Sequence, residues 1–257
     1  MSSVLASADD HVLAGRLATL AGDLLMSLRG HGLLTGRPLG DAGDRMSNAA
    51  LLSALRALRP DDAVLSEEEA ADPARLGQDR VWIVDPLDGT REYAEGRPDW
   101  AVHVALTVGG VPAAGAVALP ATGLCFLSGA PVPAPAATAA PPRMVVSRSR
   151  PAREALHVAR ALDAALLPMG SAGAKAMAVL RGEADIYLHA GGMHEWDSCA
   201  PAAVALASGL HASRIDGSPL RYNRAETWLP DLLICRREWA EPVLALVRAT
   251  GDGFHGG

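Results

Sequence analysis

Cysteine is scarce. The 257-residue chain has three, Cys125, Cys199 and Cys235, odd in number, widely spaced and without a Cys-x-x-Cys pair. This argues against a disulfide framework and a cysteine zinc site and fits a reducing compartment, so the cytoplasm is the expected location. The eight histidines show no His-x-His or His-Glu-x-x-His spacing, which leaves zinc little support. Excess positive charge is lacking too: 23 Lys and Arg stand against 29 Asp and Glu, a net charge of −6. No general field draws the chain to a phosphate backbone or to anionic lipid, so neither a nucleic-acid polymer nor a membrane is an expected partner. The N-terminal stretch MSSVLASADDHVLAGRL has two aspartates and a histidine where a secretory signal would carry basic charge and then a long apolar run. No export is expected.

Apolar residues make up 49% of the chain, enough for one large domain or two small ones with proper cores. From Trp100 to Pro142 there is no Asp, Glu, Lys or Arg, yet Gly109, Gly110, Pro112, Gly115, Pro120 and Gly123 interrupt the run. It reads as buried strands joined by turns, not as a membrane helix, which needs about 20 mostly uninterrupted apolar residues. Upstream, Val12, Leu13, Leu17, Leu20, Leu24 and Leu28 predict a helix over about 10–28, capped by Asp9 or Asp10. The polar, Gly-rich GHGLLTGRPLGDAGD reads as a connection to a second helix, about 46–58, which the break at Arg59-Pro60 closes. VWIVD, WAVHVALTV, GAVALP and GLCFLS follow as strands. The Ala/Pro-rich PVPAPAATAAPP, 131–142, marks either a boundary between two lobes or a long hairpin tip. Beyond it, strand and helix patterns alternate through MVVS, ARALDAAL, ALLPMG, AKAMAVLRG, ADIYLHA, CAPAAVALASG and DLLICR to a last helix. That alternation indicates an α/β lobe. The expected division is an N-terminal α+β lobe, 1–135, and a C-terminal α/β lobe, 136–257.

The sharpest local feature is Asp85-Pro86-Leu87-Asp88-Gly89-Thr90, directly after VWIV. Pro86 stiffens the turn so that Asp85, the Leu87 carbonyl and Asp88 can converge as hard oxygen ligands for Mg²⁺. Gly89 lets backbone approach a ligand, and the N–H groups of Gly89 and Thr90 are placed for a phosphate if a helix turn starts there. Alone, an Asp-Gly pair is more often an ordinary turn. Further acidic features change the odds: Ser66-Glu67-Glu68-Glu69 after a strand-like AVL, Asp44 in GDAGDR, and Asp197 in HEWDSCAP. Either Asp44 or Asp197 could be merely a helix cap. The two residues between Asp85 and Asp88 disfavour a haloacid-dehalogenase-type motif, whose aspartates have a single residue between them, and the EF-hand pattern is absent.

DPLDGT after WIV, the upstream SEE and the downstream EWDSCAP resemble the signatures of the inositol monophosphatase-like, lithium-sensitive, Mg²⁺-dependent phosphatases, in the same order along nearly the whole chain. Within that superfamily LRPDDAVLSEE, DPLDGTREY, SRSR, HEWDSCAP and YNRAETWLPDLLICR look most like the bacterial CysQ branch, the 3′(2′),5′-bisphosphate nucleotidases. The resemblance implies a layered αβαβα sugar-phosphatase fold with the active site between the lobes, and a small phosphorylated substrate. It implies two or three Mg²⁺ ions, held by Glu67, Asp85, the Leu87 carbonyl, Asp88 and Asp197, with Glu68 an alternative to Glu67. Asp44 would pair with Thr90 to orient the attacking water, although GRPLGDAGD departs from the Lys and Thr-x-x-Asp of many relatives. Ser147, Arg148, Ser149, Arg150, Ser171 and Lys175 are candidates to meet a second phosphate; a solvated face is the alternative. Hydrolysis of 3′-phosphoadenosine 5′-phosphate to AMP and phosphate, in sulfate assimilation, is the expected activity. Inositol 1-phosphate or fructose 1,6-bisphosphate hydrolysis, and a non-catalytic phosphate-metabolite sensor, are the alternatives, and a homodimer is left open. Trp82 and Trp196 are expected to shield the site, His194 to lie in a loop, and Cys199 to be a buried, inert thiol.

Overall fold

The computed structural model describes residues 9–136 and 141–250; residues 1–8 of the N-terminal stretch and 137–140 of the Ala/Pro-rich segment lie outside the described residues. Helix α1 (Asp10–Gly30) starts at Asp9, whose carboxylate accepts from the His11 N–H at 2.7 Å. Leu13, Leu17 and Leu25 are buried along it, whereas Val12 and Leu20 of the expected stripe stay exposed. Helix α2 (Gly36–Leu58) corrects the sequence expectation by beginning ten residues before Met46. Two glycines of its N-terminal half serve close packing: a Cβ at Gly40 would lie 2.8 Å from Thr90 Cγ2, and one at Gly43 would lie 3.0–3.1 Å from Leu25, Leu87 and Tyr93.

The first sheet has the order β1-β2-β3-β4-β5, from β1 (Ala63–Ser66), β2 (Arg80–Asp88), β3 (Ala101–Val108), β4 (Val111–Leu119) and β5 (Leu124–Leu127). The β1–β2 pair is parallel and the others are antiparallel. Short helix α3 (Thr90–Ala94) leaves the end of β2. The remaining elements are β6 (Arg143–Ser147), α4 (Arg153–Ala161), β7 (Ala165–Met169), α5 (Ala172–Leu180), β8 (Ile186–His194), α6 (Glu195–Ala207), β9 (His211–Ser213), β10 (Trp228–Cys235) and α7 (Arg237–Thr250). They build a second sheet of order β7-β6-β8-β10-β9.

Both faces of each sheet are covered. In β3, Val102, Val104 and Leu106 pack with α1 and α2, while Ala101 and Ala105 belong to the cluster containing α5 and α6. That cluster also holds Val145, Tyr187 and Ile234 of the second sheet, whose other face packs Met144, Ile186 and Leu233 against α4 and α7. The result is the expected αβαβα layering. Helices α5 and α6 form the middle layer and are apolar nearly all round, as a helix between two sheets must be. Their many alanines let the sheets come close; a Cβ at Gly115 of β4 would lie 2.6 Å from Ala203 Cβ in α6.

Candidate active site

Residues three apart on a regular strand point to opposite faces. Asp85 and Asp88 escape that rule because β2 is bulged. Asp85 pairs with His103 and Asp88 with Ala101, so three steps on β2 oppose two on β3. Pro86 lies in the bulge, where its missing N–H costs no ladder bond. The extra residue turns the Leu87 side chain into the α1–α2 core and brings Asp88 to the α5–α6 face that Asp85 already occupies. There the carboxylate oxygens of Asp85, Asp88 and Asp197 lie within 4.8 Å of one another. Asp197 arrives from α6, where it is not simply a cap: its Oδ2 accepts from the His194 N–H at 2.6 Å, and its carboxyl also joins the cluster.

Asp88 is held by three donors and faced by an imidazole. Ser171 Oγ donates to it at 2.5 Å, the Gly173 and Ala172 N–H groups at 2.7 and 3.1 Å, and His103 Nε2 lies 3.2 Å away. Burial alone would raise its pKa; His103, Lys175 and Ser171 outweigh burial and hold it below the usual carboxylate range. Asp85 accepts from the Leu87 N–H at 3.0 Å and faces no cation among the described residues. Burial, then the charges of Glu67, Asp88 and Asp197, push it well above that range. Burial with the Asp88 charge lifts Asp197 to about 6. The carboxyl of Glu67 packs against Asp85 and rises to about 7, through desolvation and the charges of Asp197, Asp88 and Asp44, although its bond to Asp85 pulls the other way. Glu68 acts instead on Asp44. Glu67 is therefore the glutamate that the structure brings to the aspartate cluster.

Helix α2 grips this turn with one polar face. Asp44, Ser47 and Asn48 are spaced i, i+3, i+4 and share a side of the helix. Thr90 Oγ1 donates toward Asp44 Oδ1 at 3.3 Å and the Leu87 carbonyl at 3.1 Å; Ser47 Oγ donates to the Pro86 carbonyl at 2.8 Å; Ser66 Oγ donates to Asn48 Oδ1 at 2.7 Å. Asp44 thus sits inside a helix rather than capping one, and burial with the Glu68 charge raises its pKa to about 7. Gly89 caps α3 with φ +88°, and a Cβ there would crowd Ser171, Glu92 and Trp100 at 3.1–3.3 Å.

The candidates for a second phosphate separate. Lys175 is buried, donates to the Ser171 and Gly170 carbonyls at 2.6 and 3.3 Å, and has its pKa lowered by burial. Ser171 caps α5 and holds Asp88. Arg148 is bound to Glu92 and Glu95 at 2.6 and 2.7 Å, tying the end of β6 to α3. Ser147 Oγ accepts from the Arg150 N–H at 3.2 Å, and Ser149 and Arg150 are exposed beside it. Neither Lys175 nor Arg150 makes an ion pair among the described residues, but Lys175 is buried with its ammonium on two carbonyls, so Arg150 is the exposed one of the three cations.

Sequence reasoning missed His103. It is fully buried, with Nδ1 donating to the Trp196 carbonyl at 3.0 Å and Nε2 facing Asp88. Nδ1 meets an acceptor and Nε2 lies 3.2 Å from a carboxylate, and the Asp88 charge raises the ring's pKa against the effect of burial. Trp82 is buried on the opposite face of the sheet, its Nε1 donating to Asp62 at 2.8 Å, so it shields the α1–α2 side rather than the carboxylates. His194 closes β8 and caps α6 instead of lying in a loop, and Cys199 is buried with its thiol pKa raised by desolvation.

The model of the Inositol monophosphatase family matches residues 39–250. A curated protein of Mycobacterium leprae, 3'-phosphoadenosine 5'-phosphate phosphatase, is 51% identical over 253 residues, 93% of each chain. The 3'(2'),5'-bisphosphate nucleotidase CysQ of Escherichia coli K12 is 31% identical over 199 residues, 73% of this chain and 81% of its own. Among solved structures, CysQ from Bacteroides thetaiotaomicron superposes with a TM-score of 0.74 at 25% identity, over 89% of this chain and 97% of that one. With its layered fold, its bulged DPLDGT turn and these matches, the chain belongs to the inositol monophosphatase family.

Proposed function

We propose that this protein is a Mg²⁺-dependent phosphomonoesterase that removes the 3′-phosphate of 3′-phosphoadenosine 5′-phosphate, leaving AMP and inorganic phosphate. The observation that carries the chemistry is the convergence of Asp85, Asp88 and Asp197 within 4.8 Å. Like charges this close repel, as the raised values of Asp85 and Asp197 reflect, and a phosphate dianion brought to them would be repelled as well. The donor set is all carboxylate oxygen, joined by Glu67, and suits a hard divalent cation such as Mg²⁺. When bound, Mg²⁺ would supply the positive charge that the phosphoryl group and leaving oxygen need, and would make water a better nucleophile.

The remaining residues orient and hold protons. The single Thr90 hydroxyl hydrogen is directed to Asp44 and the Leu87 carbonyl, so Oγ1 keeps its lone pairs for a hydrogen of the attacking water. That fixes the water's orientation, and Asp44, with a pKa of about 7, can take up a proton at working pH. Ser171, His103 and the α5 N–H groups keep Asp88 ionised and fixed. Arg150 is the cation we assign to the second phosphate; Arg148 and Lys175 brace the site. The substrate is supported by the 51% identity to a phosphatase named for it, and the reading places the enzyme in sulfate assimilation in the cytoplasm.

Phosphate release from 3′-phosphoadenosine 5′-phosphate, inositol 1-phosphate and fructose 1,6-bisphosphate, each with Mg²⁺, tests this. The nucleotide should have the highest kcat/KM, and Asp85→Asn should abolish turnover while leaving the fold intact. A preference for inositol 1-phosphate would overturn the substrate but keep the chemistry. No release from any of the three would favour a sensor.

A further inference from the structure

The strand end leading into Asp197 carries exposed aromatic surface. His194, the last residue of β8, and Trp228, the first of β10, are directly opposed in the antiparallel ladder, so their side chains stand on one face of the sheet. Both are exposed, Trp228 by 44%. The indole lies over Gly192, where φ is +98° and a Cβ would come within 2.4 Å of Nε1. On the other side the His194 ring stacks on Trp196, with centroids 4.6 Å apart and planes 8° from parallel.

This ledge is fastened to the carboxylate cluster. The His194 N–H donates to Asp197 Oδ2. The Glu195 N–H donates to the Thr227 carbonyl at 2.9 Å, fixing the residue before Trp228. Beneath it, the buried Glu195 carboxylate accepts from the Asn223 and Arg224 N–H groups at 2.7 and 2.9 Å, and buried Arg75 donates to the Asn223 side chain and the Arg224 carbonyl, each at 2.7 Å. The rings are therefore mounted on a rigid base. A flat apolar face left in water beside a phosphate-handling site is suited to one part of a nucleotide, its base, which stacks through its π-face.

We propose that the Trp228 and His194 ledge is the nucleobase subsite, with the Trp228 indole as the stacking surface. The inference rests on the nucleotide reading above and extends it to the residues that select a nucleotide over a sugar phosphate. The test compares 3′-phosphoadenosine 5′-phosphate with ribose 3,5-bisphosphate, which keeps both phosphates and lacks the base. Trp228→Leu retains apolar bulk at the strand edge and removes the ring; Trp228→Phe keeps a ring. The ratio of kcat/KM for the two substrates should fall about tenfold in Trp228→Leu, the loss of one base-aromatic stack, and Trp228→Phe should restore most of it. Because the ratio cancels the fraction of folded enzyme, a destabilised variant still reports. A Trp228→Leu ratio equal to wild type, or a wild type that does not distinguish the two substrates, overturns the subsite alone. A wild type that releases no phosphate from the nucleotide overturns the nucleotide reading and the subsite together.

Discussion

Thr90 does two things with one side chain. Its hydroxyl faces Asp44 and the Leu87 carbonyl, and its methyl packs where a Gly40 side chain would otherwise be. Thr90→Val keeps the shape and deletes the hydroxyl, so it should lower kcat by about a hundredfold or more, the scale of a lost proton-handling contact, with little change in the Mg²⁺ concentration needed for half-maximal rate. Thr90→Ser should retain most activity. If Thr90→Val reached the wild-type kcat at high Mg²⁺, the hydroxyl would be acting on the cation and not on water. The Asp44–Thr90 contact was expected from the family pattern, in spite of the departure before Asp44. His103 was not read from the sequence, because it sits in a strand whose valines alternate cleanly. A signal was present: a lone histidine in a charge-free run, on the face opposite the valines and, once the hairpin register is known, opposite Asp85.

At the scale of elements, the strands and later helices were readable because their periodicity and their turns agree. The start of α2 was not. Gly36, Gly40 and Gly43 have the composition of a loop, yet Gly40 and Gly43 let a helix approach the α3 turn and the α1 core, a tertiary demand that local propensity does not record. Two Gly→Ala substitutions should therefore have opposite effects. At Gly30, near the end of α1, nothing lies within 4 Å of an added Cβ and φ is not positive, so Gly30→Ala should stabilise by up to about 1 kcal/mol. That corresponds to about 2–4 °C in Tm for a chain of this size. Gly40→Ala should lower Tm by a similar amount through overpacking and cost more activity than stability, since the displaced group is Thr90. Calorimetry and phosphate release on both variants check this; a stabilised, fully active Gly40→Ala would show that the close approach is not needed.

For the whole molecule, the alternation of strands and helices announced α/β architecture, but not that α5 and α6 serve both sheets at once. That shared layer puts the carboxylates of β2, α6 and the segment after β1 around one point, and it makes global stability depend on their charge. Asp44 and Glu67, at about 7, and Asp197, at about 6, lie above the usual carboxylate values near 4, and Asp85 is raised as well. Between about pH 4 and 7 the folded, metal-free protein therefore holds protons that the unfolded chain has released. Its stability must fall as pH rises through that window. Asp88 contributes with the opposite sign, but its lowered value places its effect below the window. Mg²⁺ binds the deprotonated carboxylates, so its stabilisation must grow over the same range. The Tm of the protein in EDTA and in saturating Mg²⁺, measured at pH 5 and pH 8, should show a Mg²⁺-induced gain larger by several degrees at pH 8. An equal gain at both values would mean that the cluster is not where the cation binds, since no other group of carboxylates among the described residues converges in this way.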